Sequence, residues 1–177
     1  MTVASPYPFT IQSPNEMNRE KYINFWKDVL IQASNHELWP SNNEIQLKLS
    51  HAQIGKKAGI LLWEEDESSG DSIKIIRKCI EIVTDSKVEE AAKLGINLKA
   101  MSIPPIIHST FLRFLHQPAF SSGESIQEKF HGNIISCLEN YFTNGITLDS
   151  LKFVYERTPY MHIPNDDSHV LHEIKLK

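Results

Sequence analysis

Apolar and polar residues along the chain alternate in two distinct rhythms, one of three to four residues and one of two. Tyr22, Phe25, Trp26, Val29, Leu30 and Ala33 recur at helical steps, which predicts a helix from Asn15 to Ser34 with one buried face. Ser13-Pro14-Asn15-Glu16 supplies its start, a capping box with Pro at the first helical position. Beyond Pro40, Ile45, Leu47 and Leu49 alternate with Gln46 and Lys48, and Ala58 to Glu64 reads as the second strand of a hairpin turning at Gly55. The acidic stretch Glu64 to Asp71 predicts a loop with Asp71 as a helix cap. The helix that follows runs to Val83 on a stripe of Ile73, Ile76, Ile80 and Val83. A shorter helix from Lys87 closes at Gly95.

After Pro104-Pro105, Ile106 to Leu115 is rich in apolar and β-branched residues and reads as a strand. Ile126, Phe130, Ile134, Leu138 and Tyr141 then mark one face of a helix from Glu124 to Phe142. Two strands, Thr147 to Arg157 and Ser168 to Leu176, are joined by the loop Thr158 to Asp167. In the last of them Val170, His172, Ile174 and Leu176 share the parity expected to face the core. This order predicts one α+β domain over residues 1–177, with two lobes of antiparallel sheet and helices packed on their outer faces.

Composition narrows the choice of function. A chain of 177 residues with 41% hydrophobic residues has material for a core, and 18 Lys+Arg against 22 Asp+Glu give a net charge of -4. That balance argues against holding duplex DNA by charge and leaves a small phosphate-bearing ligand open. No apolar run approaches the roughly 20 residues that cross a bilayer, and no signal peptide is recognisable, so an intracellular, cytoplasmic protein is expected. Cys79 and Cys137 lack CxxC partners, which speaks against a disulfide framework or a zinc module, and Cys79 lies beside an apolar stripe as a packed thiol. His169 and His172 fall on opposite faces of a strand, so no metal site is expected there. Trp26, Trp39 and Trp63 are read as core, and His116 and His131 as surface residues. With 7 glycines the chain holds no P-loop, no dinucleotide fingerprint and no Gly-x-Ser-x-Gly elbow.

The candidate chemistry lies in Ile106-Ile107-His108-Ser109-Thr110-Phe111-Leu112-Arg113-Phe114, where polar residues interrupt an apolar strand. His108 and Thr110, two apart, share a face and offer an imidazole for proton transfer beside a hydroxyl for an oxyanion. The same pair also suits a packed His satisfied by a backbone carbonyl beside an ordinary strand Thr. Arg113 has the opposite parity and reaches that face only across a bend or bulge. Tyr160 and His162 lie in the loop between the closing strands.

His108-Ser109-Thr110-Phe111-Leu112-Arg113 resembles the H-x-[ST]-hydrophobic-x-Arg signature of the 2H phosphoesterase superfamily, the RNA ligase/cyclic nucleotide phosphodiesterase-like proteins. The helix and two strands that follow match the order around that family's second motif, and Glu156 to Pro164 is similar to its eukaryotic cyclic-phosphodiesterase-like members. The resemblance implies a 2H phosphoesterase-like fold, with a groove between two sheet lobes. It further implies acid-base catalysis on a phosphodiester without metal or cofactor, a small nucleotide or RNA-end phosphate as partner, and no membrane. By it His108 is catalytic, while Thr110, Arg113, Tyr160 and His162 bind substrate.

The family carries two such motifs and this sequence one. Ahead of residue 100 the histidines are His36, in a loop, and His51, at a strand end. A His before Met1-Thr2-Val3 would complete a first triplet, and Pro8-Phe9-Thr10-Ile11 matches one with Pro in the His position. A late start and true loss of the motif are both open. So are an active phosphodiesterase and a catalytically impaired member that serves as a nucleotide-binding or protein-interaction module.

Overall fold

A computed structural model describes residues 1, 3–6, 16–116, 123–155 and 167–176. The described residues form an α+β structure of four α-helices, two short 3-10 turns and two antiparallel sheets. They gather into two compact units, each drawn from segments distant in sequence. Met1–Val3, Ile45–Gly70 and Pro104–Leu148 make one, and Ala4–Glu44, Asp71–Ile103 and Asp149–Lys177 the other.

The first unit is a sheet in the order β3-β2-β1-β4, with β1 at Ile45–Ile54, β2 at Ala58–Glu65, β3 at Ile107–Arg113 and β4 at Ile146–Leu148. The hairpin turns where expected, the Gly55 N–H donating to the Ala58 carbonyl at 2.8 Å. Two residues interrupt the ladders that flank β2. Leu49 pairs with Trp63 and His51 with Leu62, leaving Ser50 as an extra residue on β1. Thr110 pairs with Ile60 and Leu112 with Gly59, leaving Phe111 as an extra residue on β3. Leu47, Ala52, Leu61 and Trp63 are buried. The helix α4 (Gly123–Leu138) lies against the sheet with the Phe130 ring over Gly59, and Phe142, just beyond it, meets Trp63 edge-on at 5.3 Å.

In the second unit the buried face of α1 (Glu16–Ser34) is Phe25, Trp26, Val29 and Ala33, as the periodicity predicts. It packs on α2 (Ser72–Ser86), whose Ile73, Ile76, Cys79, Ile80 and Val83 are buried, and on β6 (Val170–Lys175). Burial pushes the Cys79 thiol pKa up, as a packed thiol requires. Between α2 and α3 (Val88–Leu94), Lys87 donates to Asp28 and Glu90 at 2.7 Å each, which ties α1 to this junction. Gly95 caps α3 at φ 71°, and the Ile96 N–H returns to the Ala91 carbonyl at 2.8 Å. Asp71 does not cap α2 with its side chain; its carboxylate lies 3.5 Å from Lys74 instead. The Ser13 capping box falls outside the described residues.

The stretch expected as one strand from Thr147 to Arg157 is two. β4 joins β1 in the four-stranded sheet, whereas β5 (Ser150–Val154) pairs with β6. The break falls at Asp149, whose carboxylate accepts from the Ser150 hydroxyl at 3.0 Å and whose carbonyl accepts from the Leu176 N–H at 2.9 Å. A short acidic side chain that bonds its own neighbourhood competes with the ladder and ends a strand.

Gly145 makes the entry to β4 possible. It adopts φ 70°, and a Cβ there would be driven onto the Leu47 carbonyl oxygen. Gly145→Ala is expected to cost at least roughly 1–3 kcal/mol from backbone conformation alone, read as a lower urea midpoint with an unchanged slope.

Candidate functional site

Paired residues of an antiparallel ladder share a face, so the register assigns the side chains of β3. His108 opposes Leu62 and Thr110 opposes Ile60, which places both on the face of β2 opposite Gly59, Leu61 and Trp63. The extra residue Phe111 then shifts the parity by one. Leu112 opposes Gly59, and Arg113 opposes Ala58, two residues from Ile60. The bulge therefore restores Arg113 to the face of His108 and Thr110, which simple alternation from His108 denies it. His108 and Thr110 are half-buried and Arg113 is exposed.

The residues of the other face explain how this edge is held. Ser109 accepts from the Trp63 indole N–H at 3.0 Å. Phe111 turns toward α4 and stacks on Phe130 with ring centroids 6.0 Å apart and planes at 22°. Phe130 reaches the sheet because Gly59 has no side chain; a Cβ on Gly59 would lie 3.0 Å from the Phe130 ring and 3.3 Å from the Leu112 Cβ.

His108 differs from an ordinary packed histidine. Its Nδ1 is buried and has no hydrogen-bond partner, backbone carbonyl or other, among the described residues. Leaving a buried polar atom unpaired costs roughly 1–3 kcal/mol.

A second imidazole lies in the same cross-strand row. His51 opposes Leu62 on β1 as His108 does on β3, two strand spacings away, or roughly 10 Å between backbones. Its ring is engaged elsewhere: it stacks on His131 of α4 with centroids 4.0 Å apart and planes at 21°. His131 is thus no surface residue. It is half-buried, and its Nδ1 accepts from the Ala52 N–H at 3.2 Å. The sequence pattern gave no sign of either contact, because both depend on the open edge of β1 rather than on any helical face. His116 is exposed, and Tyr160 and His162 lie outside the described residues. Among the described residues no helix is long and apolar enough to cross a membrane.

No protein-family model matches the chain, and neither the curated proteins nor the solved structures yield a significant match. What the site can do therefore follows from its own geometry.

The packing of Phe130 can be checked directly. Phe130→Ala removes the ring that covers Gly59 and supports the bulge, and a half-buried Phe of this kind should cost about 3 kcal/mol. Gly59→Ala should also destabilise, since the new methyl competes for the same space; thermal unfolding of both variants measures this.

Proposed function

We propose that this chain is a 2H phosphoesterase-like protein that takes a phosphodiester, as a cyclic phosphate, a nucleotide or an RNA end, on the face of β3 bearing His108, Thr110 and Arg113. The observation that supports this most is the bulge at Phe111, which gives one sheet face an imidazole, a hydroxyl and a guanidinium. Each group has a distinct task. His108 gives or takes the proton of the attacking or leaving oxygen. Thr110 donates its hydroxyl hydrogen to a non-bridging oxygen as charge builds there. Arg113, with several donors in a rigid fork, offsets the phosphate charge.

The presence of one H-x-[ST] triplet in the sequence favours a second reading, in which the same face binds a phosphate or nucleotide without turnover. An acid-base pair that lacks one partner loses about 10²–10⁴-fold in rate.

Calorimetric titration with a 2′,3′-cyclic nucleotide, together with a turnover assay, tests the proposal. The wild-type chain should bind, and His108→Ala and Thr110→Ala should each weaken binding about tenfold or more, as expected for hydrogen bonds to a charged group. Turnover that falls about 10²–10⁴-fold in His108→Ala identifies the enzyme; binding without turnover identifies the module. Binding and turnover unchanged in both variants would overturn both readings.

A further inference from the structure

Among the described residues the outer edge of β1 is paired only with β4, at Ile45 to Leu47, yet β1 continues to Ile54. Side chains of α4 complete that edge. The Ile54 N–H donates to Gln127 Oε1 at 2.9 Å, Gln127 Nε2 donates to the Ala52 carbonyl at 2.9 Å, and the Ala52 N–H donates to His131 Nδ1 at 3.2 Å. Gln127 and His131, four residues apart, thus satisfy backbone groups of β1 that lie beyond its pairing with β4. His51 adds its ring to the stack on His131, and its Nε2 lies 3.3 Å from Gln127 Nε2.

We propose that this clasp of His51, Gln127 and His131 is a pH-operated device, closed while His51 is neutral and opened when it takes up a proton. The chemistry of the donors dictates it. An amide nitrogen has only hydrogens to offer, so His51 Nε2 faces Gln127 favourably only as an acceptor. His131 Nδ1 must likewise carry a lone pair toward the Ala52 N–H. A protonated imidazole carries N–H on both nitrogens and sets donor against donor at either contact. Two charged rings stacked at 4.0 Å would also repel.

Among the described residues the surroundings of His51 supply no compensating charge. Opposite His51, β2 presents Leu62; on β1 its neighbours are Ser50 and Ala52; α4 presents Gln127 and His131, with Glu128 and Lys129 exposed. Burial, and then the charge of His131, hold the His51 pKa below its ordinary value. The sign follows. A histidine whose pKa is lower in the closed state binds fewer protons there than in the open state, so closing is fully favoured above the ordinary value of about 6.5 and weakens as pH falls below it.

The device does not depend on the proposed phosphodiester site. Amide hydrogen exchange of the full chain, corrected for intrinsic rates, reads it residue by residue at pH 7.5 and 5.5. Protection of the Ala52 and Ile54 amides should fall several-fold at the lower pH, while Leu61 and Leu62 in β2 hold theirs. A double variant, His51→Phe with His131→Gln, keeps a stacking ring and an acceptor without titrating, and its protection at these amides should not change with pH. Equal protection of Ala52 and Ile54 at both pH values in the wild-type chain would overturn the proposal. So would a pH-dependent loss that persists in the double variant.

Discussion

One extra residue in β3 governs the character of the sheet edge. Phe111 has no partner on β2, and that single insertion turns Arg113 onto the face of His108 and Thr110 while Phe111 itself leans on Phe130. A bulge forfeits ladder pairing and bends its strand, so it persists only where packing repays it. Here the repayment is the aromatic stack, which in turn needs the bare backbone of Gly59 beneath Phe130. The positions of the polar side chains on one face are therefore set by apolar contacts on the other.

The same helix stabilises the sheet in two ways. Phe130 covers the end of β2 and β3, and Gln127 and His131 satisfy the backbone of β1 beyond the reach of β4. An open strand edge with unpaired backbone groups is a liability, and a helix usually covers it with bulk. In this chain the helix makes hydrogen bonds to it, two of which involve groups on a titratable imidazole or beside one. A strand edge closed in this way responds to pH, whereas one closed by a full fourth strand would not.

The helices were legible because their signal is local. Phe25, Trp26, Val29 and Ala33, or Ile73, Ile76, Ile80 and Val83, announce their buried face by spacing alone, and both faces are buried. Strand faces were only partly legible, since parity counting assumes unbroken alternation and nothing about Ser50 or Phe111 as residues marks them as bulges. Arg113 looked misplaced for that reason. His131 read as a surface residue because a polar side chain on an amphipathic helix is expected to face water, and the strand edge that required an acceptor lies 79 positions away. The single strand read from Thr147 to Arg157 divided at Asp149, where a side-chain hydrogen bond to Ser150 outweighed the β-propensity around it.

The proposed function makes the sheet face of β3 bearing His108, Thr110 and Arg113 the place where a phosphodiester binds. Nitrogen chemical shifts of the imidazoles, followed by NMR while a 2′,3′-cyclic nucleotide is added, test that most directly. The ring nitrogens of His108 should shift with saturation while those of His51 and His131, engaged in the clasp, stay in place. A ligand that binds and leaves His108 unmoved, or that shifts only the His51 and His131 rings, would contradict it.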